Sequence, residues 1–190
     1  GMPGFALGYA TGPRGASHHD ARPTGERTGW VLRETVEGKP RYIVDVNHLN
    51  ILTDSMILCH LAEAVWGPAQ IQQHVVDILN AVTGMNLTLE EANLTAERIW
   101  NLIRAFAVRE GLRRRDDTLP RRFLEEPIPD GPSQGMVMRE DVLEKMKDEY
   151  YDIRGWDRAT GIPTPQRLFA LDLPDIAEDM RKILSGGKEG

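Results

Sequence analysis

The chain has 190 residues, 41% of them hydrophobic and 27% charged, which suits one well-packed soluble domain and is short for two. Its net charge of -6 argues against nucleic acid or an anionic membrane surface as a partner, since both reward clustered cations. No apolar run approaches the roughly 20 residues of a membrane span, and a single cysteine excludes an intrachain disulfide.

The opening Gly-Met-Pro-Gly has neither a basic region nor an apolar leader, so a cytoplasmic protein is the simplest expectation. Gly1 reads equally as a tag remnant ahead of Met2 or as native chain. Residues 1–28 are rich in Gly, Pro and Thr and predict mostly loop, with room for a short helix near Phe5–Thr11. Composition alone favours a floppy arm there, whereas the glycines point to close backbone approach to something.

Residues 41–64 are the most apolar, with Ile43, Val46, Leu49, Leu52, Met56 and Leu61 at three- and four-residue spacing. That predicts a helix buried on much of its circumference, ended by Gly67-Pro68. A second helix is expected over 69–82, closed by Gly84. Thr88-Leu89-Glu90-Glu91 has the form of a capping box and opens a helix through Ile99, Leu102, Ile103, Phe106 and Ala107, with Gly111 as a left-handed stop. The run Arg113-Arg114-Arg115 is followed at once by Asp116 and Asp117 and reads as a solvated, self-compensated turn. A short helix carrying Phe123 and Leu124, a proline-rich connector over 126–135, and helices at Glu140–Arg154, Pro165–Leu171 and Pro174–Leu184 complete the chain. No run alternates like a strand for more than four or five residues, and there is no internal repeat. The expected class is all-α: a loop-rich, glycine-rich N-terminal arm over 1–38, then helices over 39–185, as a single domain.

Cys59 lies in the apolar segment, where a lone cysteine is usually a small buried hydrophobe. No Cys-x-x-Cys spacing accompanies it, and an iron–sulfur cluster normally takes four thiolates. His48, His60 and His74 are too far apart in sequence for a one-helix metal motif. His18-His19-Asp20 lies in a glycine-rich loop and could exchange protons near neutral pH, although surface histidines are the commoner outcome. A Ser17–His18 or Asp20–His19 hydrolase pair is discounted, because sequence neighbours rarely form a triad and no nucleophile-elbow glycines flank Ser17.

Several stretches together resemble the tungsten-dependent aldehyde ferredoxin oxidoreductase family. Gly8-Tyr9-Ala10-Thr11-Gly12-Pro13-Arg14-Gly15-Ala16-Ser17-His18 is similar to its Tyr-Ala-Thr-Ser-x-Arg-Gly-Ala-Cys-His segment. Asp54-Ser55-Met56-Ile57-Leu58-Cys59 resembles Asp-x-x-Gly-Leu-Cys. Arg109-Glu110-Gly111 with Asp116-Asp117-Thr118-Leu119-Pro120-Arg121-Arg122, and the later Tyr150-Tyr151, Arg154-Gly155-Trp156-Asp157 and Gly161-Ile162-Pro163, fit the same family in order.

The resemblance implies the C-terminal, multihelical part of such an enzyme, lacking the β-rich domain that seats a tungsten (or molybdenum) bis-pterin. It implies that Asp54 hydrogen-bonds a pterin and that Cys59 is the fourth ligand of a [4Fe–4S] cluster whose other three cysteines are absent from this chain. Arg14 and Gly15 would shape the loop against the cofactor, and His18 would stand near the metal as a catalytic donor. Expected partners are ferredoxin, the missing N-terminal domains or subunit, and an aldehyde substrate, with self-association through the exposed cofactor face. No cofactor is expected in the isolated chain. Two departures stand out: Ile57 replaces the motif glycine and Ser17 the loop cysteine. The alternative is a stand-alone helical interaction module derived from the family and binding no cofactor; a neighbouring reading frame that supplies the pterin domain would decide between the two.

Overall fold

Proline in the first turn of a helix forfeits no hydrogen bond, and glycine just past the last turn takes the left-handed conformation that closes it. The computed structural model describes residues 2–15, 17–59 and 70–186 and follows these rules closely. Its helices are Pro3–Thr11 (α1), Thr24–Thr28 (α2), Lys39–Ser55 (α3), Gln73–Thr83 (α4), Leu89–Arg109 (α5), Arg121–Glu125 (α6), Glu140–Arg154 (α7), Pro165–Ala170 (α8) and Pro174–Gly186 (α9), with a 3-10 turn at Arg114–Asp116. Pro3, Pro40, Pro165 and Pro174 stand in first turns, while Gly84 and Gly155 close α4 and α7 with positive φ. The expected capping box forms: Thr88 Oγ1 accepts the Glu91 N–H at 3.2 Å, and the Glu91 carboxylate accepts the Thr88 N–H at 2.8 Å. Gly111 stops α5 with a φ of 103°. Among the described residues the only β pairing is an isolated bridge between Trp156 and Pro163, so the fold is all-α and multihelical.

The long helix α5 is the spine, contributing to three apolar clusters. In the first, Trp100 meets Leu7 and Ala10 of α1, Ile43 and Val44 of α3, and Leu143, Met146, Tyr150 and Tyr151 of α7. In the second, Ala92 and Ala96 meet Leu49 and Leu52 of α3 and Val75 and Val76 of α4. In the third, Ala105 and Val108 pack with Leu168 of α8 and Ala177 and Met180 of α9. Each large apolar side chain so buried stabilises by about 1.5–3 kcal/mol. The glycine-rich start takes part in this core rather than floating off it: Leu7 is wholly buried, and the α1 N-terminus is capped by the buried Glu26 carboxylate, which accepts Gly4 N–H at 2.9 Å and pairs with Lys39 Nζ at 2.6 Å.

Several sequence expectations change. The apolar helix expected over 41–64 ends at Ser55, because Met56, Ile57 and Leu58 turn the chain away. His60, Leu61, the Gly67-Pro68 break and Ala69 lie outside the described residues. Helix α4 starts at Gln73, not at 69. The Arg113–Asp117 stretch is a self-compensated turn only in part: Asp116 accepts the Arg113 N–H at 2.8 Å and lies 3.9 Å from Arg115, both side chains exposed. Asp117 is buried and takes a bidentate pair from Arg104 at 2.8 and 2.6 Å, while Arg114 crosses to Glu144 at 2.5 Å and Asp148 at 2.6 Å on α7. Arg114 and Asp117 point away from each other once the turn forms, so their partners come from other elements.

Candidate functional site

Helix α3 is buried on most of its surface, and one face of it carries polar side chains at helical spacing: Asn47, Asn50 and Asp54. The loop after α1 is laced to this face. Asn47 Nδ2 donates to the Asp20 carbonyl at 2.6 Å, and Asn50 Nδ2 donates to the His19 carbonyl at 2.8 Å. One turn further on, Arg14 Nη2 donates to Asp54 Oδ2 at 3.3 Å. Arg14 also grips the buried Asp20 carboxylate through Nε and Nη2, each at 2.6 Å. Hydrogen bonding to Asp20 is the main cause raising the Arg14 pKa above its ordinary value, against the opposing effect of burial.

The predicted site residues therefore fall as follows. Arg14 and Asp54, 40 residues apart in sequence, are in contact, with their side chains 51% and 33% exposed. Gly15 has a φ of 76°, and a Cβ added there would meet nothing within 4 Å, so the turn beside Arg14 is open on that side. His18 is exposed on the same loop, its ring 4.0 Å from that of His19. Cys59 is exposed, which corrects the expectation of a buried hydrophobe: the helix has already ended, so the thiol leaves the core. Ile57 is 93% exposed on the same turn.

The end of α3 explains the family glycine that Ile57 replaces. Leu58 N–H donates to the Thr53 carbonyl at 3.1 Å and Ile57 N–H to the Asp54 carbonyl at 3.0 Å, the paired bonds of a Schellman stop. That motif needs a left-handed residue at position 57, and Ile57 supplies it with a φ of 58°. Backbone conformation alone thus gives a reason for a glycine at this position. For a β-branched residue this conformation is strained.

Sequence reasoning missed a buried polar network beneath the loop. Glu97 of α5 takes His48 Nε2 at 2.7 Å, Arg167 Nη2 at 3.0 Å, Asn101 Nδ2 at 2.8 Å, and Arg154 Nη1. Burial alone would raise the Glu97 pKa, but the charge of Arg154, the bond from His48 and that from Arg167 outweigh it and hold the carboxyl at about 2. Arg154, wholly buried, also donates to Asn47 Oδ1 at 2.9 Å, as does Tyr150 at 3.0 Å. Asn47 is thus the joint between this network and the loop carrying Arg14. The available signal was a glutamate among the core-facing positions Ala96 and Trp100 of a strongly periodic helix.

A carboxylate and a guanidinium in contact, with an exposed thiol five residues further along the chain, can bind, but by themselves they do not make a redox centre. Among the described residues no group of three or more His, Cys, Asp or Glu could hold a metal ion. Nor is any helix among them long and apolar enough to cross a membrane.

Comparison with known proteins gives the chain's relatives. The family model described as "Aldehyde ferredoxin oxidoreductase, domains 2 & 3" matches residues 1–173. The tungsten-containing aldehyde ferredoxin oxidoreductase of Pyrococcus furiosus is 37% identical over 86% of this chain and 27% of its own length, and that of Thermococcus kodakarensis is 35% identical over the same shares. The aliphatic sulfonate oxidoreductase WOR-like subunit of P. furiosus is 32% identical over 68% of this chain and 21% of its own length. This chain thus spans about a quarter of the length of the curated relatives it matches. A chain of the active site complex BamBC of benzoyl coenzyme A reductase, solved with 1,5-dienoyl-CoA, superposes with a TM-score of 0.70 at 17% identity, covering 100% of this chain and 32% of that one; this is a likeness of fold. On the family match and these identities, the chain belongs to the aldehyde ferredoxin oxidoreductase family.

Proposed function

We propose that this chain is the single C-terminal helical domain of a cytoplasmic tungsten- or molybdenum-pterin oxidoreductase that converts aldehydes to carboxylic acids, and that it is inactive without the rest of the enzyme. The observation that carries this reading is the contact between Arg14 and Asp54, with the exposed Cys59 five residues further on. When bound, the metal–pterin group and the cluster would supply the redox chemistry, in which aldehyde and water give acid, two protons and two electrons for ferredoxin. The residues present fit such a group. Asp54 is a partly exposed carboxylate able to accept hydrogen bonds from a pterin's N–H groups. Arg14 offers a half-exposed guanidinium for a charge-assisted contact. Gly15 leaves room for backbone approach, and Cys59 is free of the core and able to complete a cluster with three thiolates from elsewhere. His18, exposed on the loop, would donate to the aldehyde oxygen or an oxygen on the metal.

A second reading is favoured by one observation, the bulky Ile57 projecting from the very turn that would meet the cofactor. In that reading the chain is a helical interaction module that binds no cofactor, with the exposed apolar turn covered by a partner or a second copy. Co-expression with the segment that supplies the pterin domain and three cysteines tests both. The oxidoreductase reading expects a complex carrying iron and tungsten or molybdenum that reduces a viologen dye when aldehyde is added. A stable complex without metal sinks it and leaves the module.

A further inference from the structure

Asp20, the acid that pairs with Arg14 beside Asp54, is buried. Its carboxylate is 4% exposed; Oδ1 accepts a hydrogen bond from Arg14 Nε at 2.6 Å and lies 2.6 Å from Nη2 as an ion pair, while Oδ2 accepts the Arg14 backbone N–H at 3.3 Å. Its own carbonyl is held at 2.6 Å by Asn47, which is itself bonded to the buried Tyr150 and Arg154. The turn closes tightly around it: a Cβ at Gly12 would lie 3.2 Å from Asp20 Oδ2 and 2.9 Å from the Gly8 carbonyl oxygen. The contact of Arg14 with Asp54 is longer, 3.3 Å, and both partners are substantially exposed. An exposed contact of that kind is screened by water and contributes little, whereas a short charge-assisted hydrogen bond and ion pair to a buried carboxylate restrain a guanidinium far more.

We propose that Asp20 is a positioning residue: tied to the core through Asn47, it holds the Arg14 guanidinium in place against Asp54 and so sets the charge pair of the cofactor-facing surface before any cofactor arrives. Its relevance to a pterin rests on the oxidoreductase function, but the placement is a property of this chain alone. The test therefore uses the chain without cofactor, following the Arg14 Nε–H resonance by nitrogen-15 NMR. In the unaltered chain that proton should exchange on the order of tenfold or more slowly than that of the 82%-exposed Arg115. Asp20→Asn should remove most of that protection with Asp54 still present. Asp54→Asn should leave it largely intact.

Absence of protection in the unaltered chain overturns the proposal. So does protection that depends on Asp54 as much as on Asp20, or on neither. Circular dichroism establishes that each variant is folded; should Asp20→Asn fail to fold, Asp20→Glu replaces it, and the unaltered chain with Asp54→Asn can still overturn the proposal, which requires protection that survives loss of Asp54. If this asymmetry holds but the co-expressed complex carries no metal, only the cofactor reading falls. A loaded, active complex without the asymmetry removes only the positioning role of Asp20.

Discussion

Ile57 donates its backbone N–H to the carbonyl oxygen of Asp54 at 3.0 Å while holding a left-handed φ of 58°. The turn that presents Asp54 is therefore closed by a residue ill suited to close it. A left-handed β-branched residue costs about 1–2 kcal/mol, and at 93% exposure the side chain recovers almost nothing by burial. Ile57→Gly should stabilise the isolated chain by about 1 kcal/mol, raising Tm by roughly 2–4 °C for a domain of this size. Thermal denaturation followed by circular dichroism measures it; an unchanged or lower Tm would mean that Ile57 makes contacts that offset its strain.

Glu97 gives the fold a pH dependence whose direction is fixed. Its carboxyl is held at about 2, below the ordinary 4.5, so its ionised form is favoured in the folded state. That contribution is complete above about pH 4.5 and is lost as pH falls towards 2, amounting to roughly 3 kcal/mol. Glu97→Gln should flatten the acid limb of stability against pH in that window. At pH 7 it should cost about 3–5 kcal/mol, because Arg154 is left buried with its main countercharge gone. Urea titrations from about pH 7 down to about pH 2 span that window, and parallel acid limbs for the two proteins would show that other groups control it.

The approach of α1 to the loop behind it depends on one missing methyl. A Cβ built on Gly8 would lie 2.2 Å from the Cβ of Ala21, an impossible contact that must push the two segments apart. Gly8→Ala should destabilise by about 1–3 kcal/mol despite alanine's better helix propensity. Ala21→Gly on that background should restore much of the loss, and a double-mutant cycle of urea midpoints would show it. Strictly additive effects would mean that the segments do not meet as described.

Most of this architecture was legible because the decisive signals are local. Capping residues, first-turn prolines and three- to four-residue periodicity place α5, α7, α8 and α9 within a few residues of their observed bounds. The end of α3 was not legible in that way: apolar residues continue past Ser55, and periodicity cannot show that Ile57 leaves the helix through a conformation usually reserved for glycine. For the same reason Cys59 looked buried and is exposed. The pairing of Arg14 with Asp54 was foreshadowed only by the family resemblance, since contacts between residues 40 apart leave no local trace. The Glu97 network was hidden for a related reason, being assembled from α3, α5, α7 and α8.

Cys59 offers the most direct access to the proposed assembly. It is the only cysteine in the sequence and it is exposed, so the isolated, folded chain should react with one equivalent of a thiol reagent without denaturant. A buried cysteine would instead wait for unfolding and be slower by orders of magnitude. With one thiolate the purified chain should also carry no stoichiometric iron, since a cluster normally takes four; about four irons per chain by metal analysis would contradict this unless ligation between chains were demonstrated. In the co-expressed complex the same thiol should become unreactive, because a ligated sulfur is neither free nor nucleophilic. Cys59→Ser should leave the helical spectrum unchanged, as the side chain contributes nothing to the core, yet abolish or displace the cluster and the dye reduction that depends on it. His18→Ala should slow turnover more than it loosens the cofactor. A complex in which Cys59 reacts as fast as in the isolated chain, while iron is fully loaded, would remove Cys59 from the ligand set.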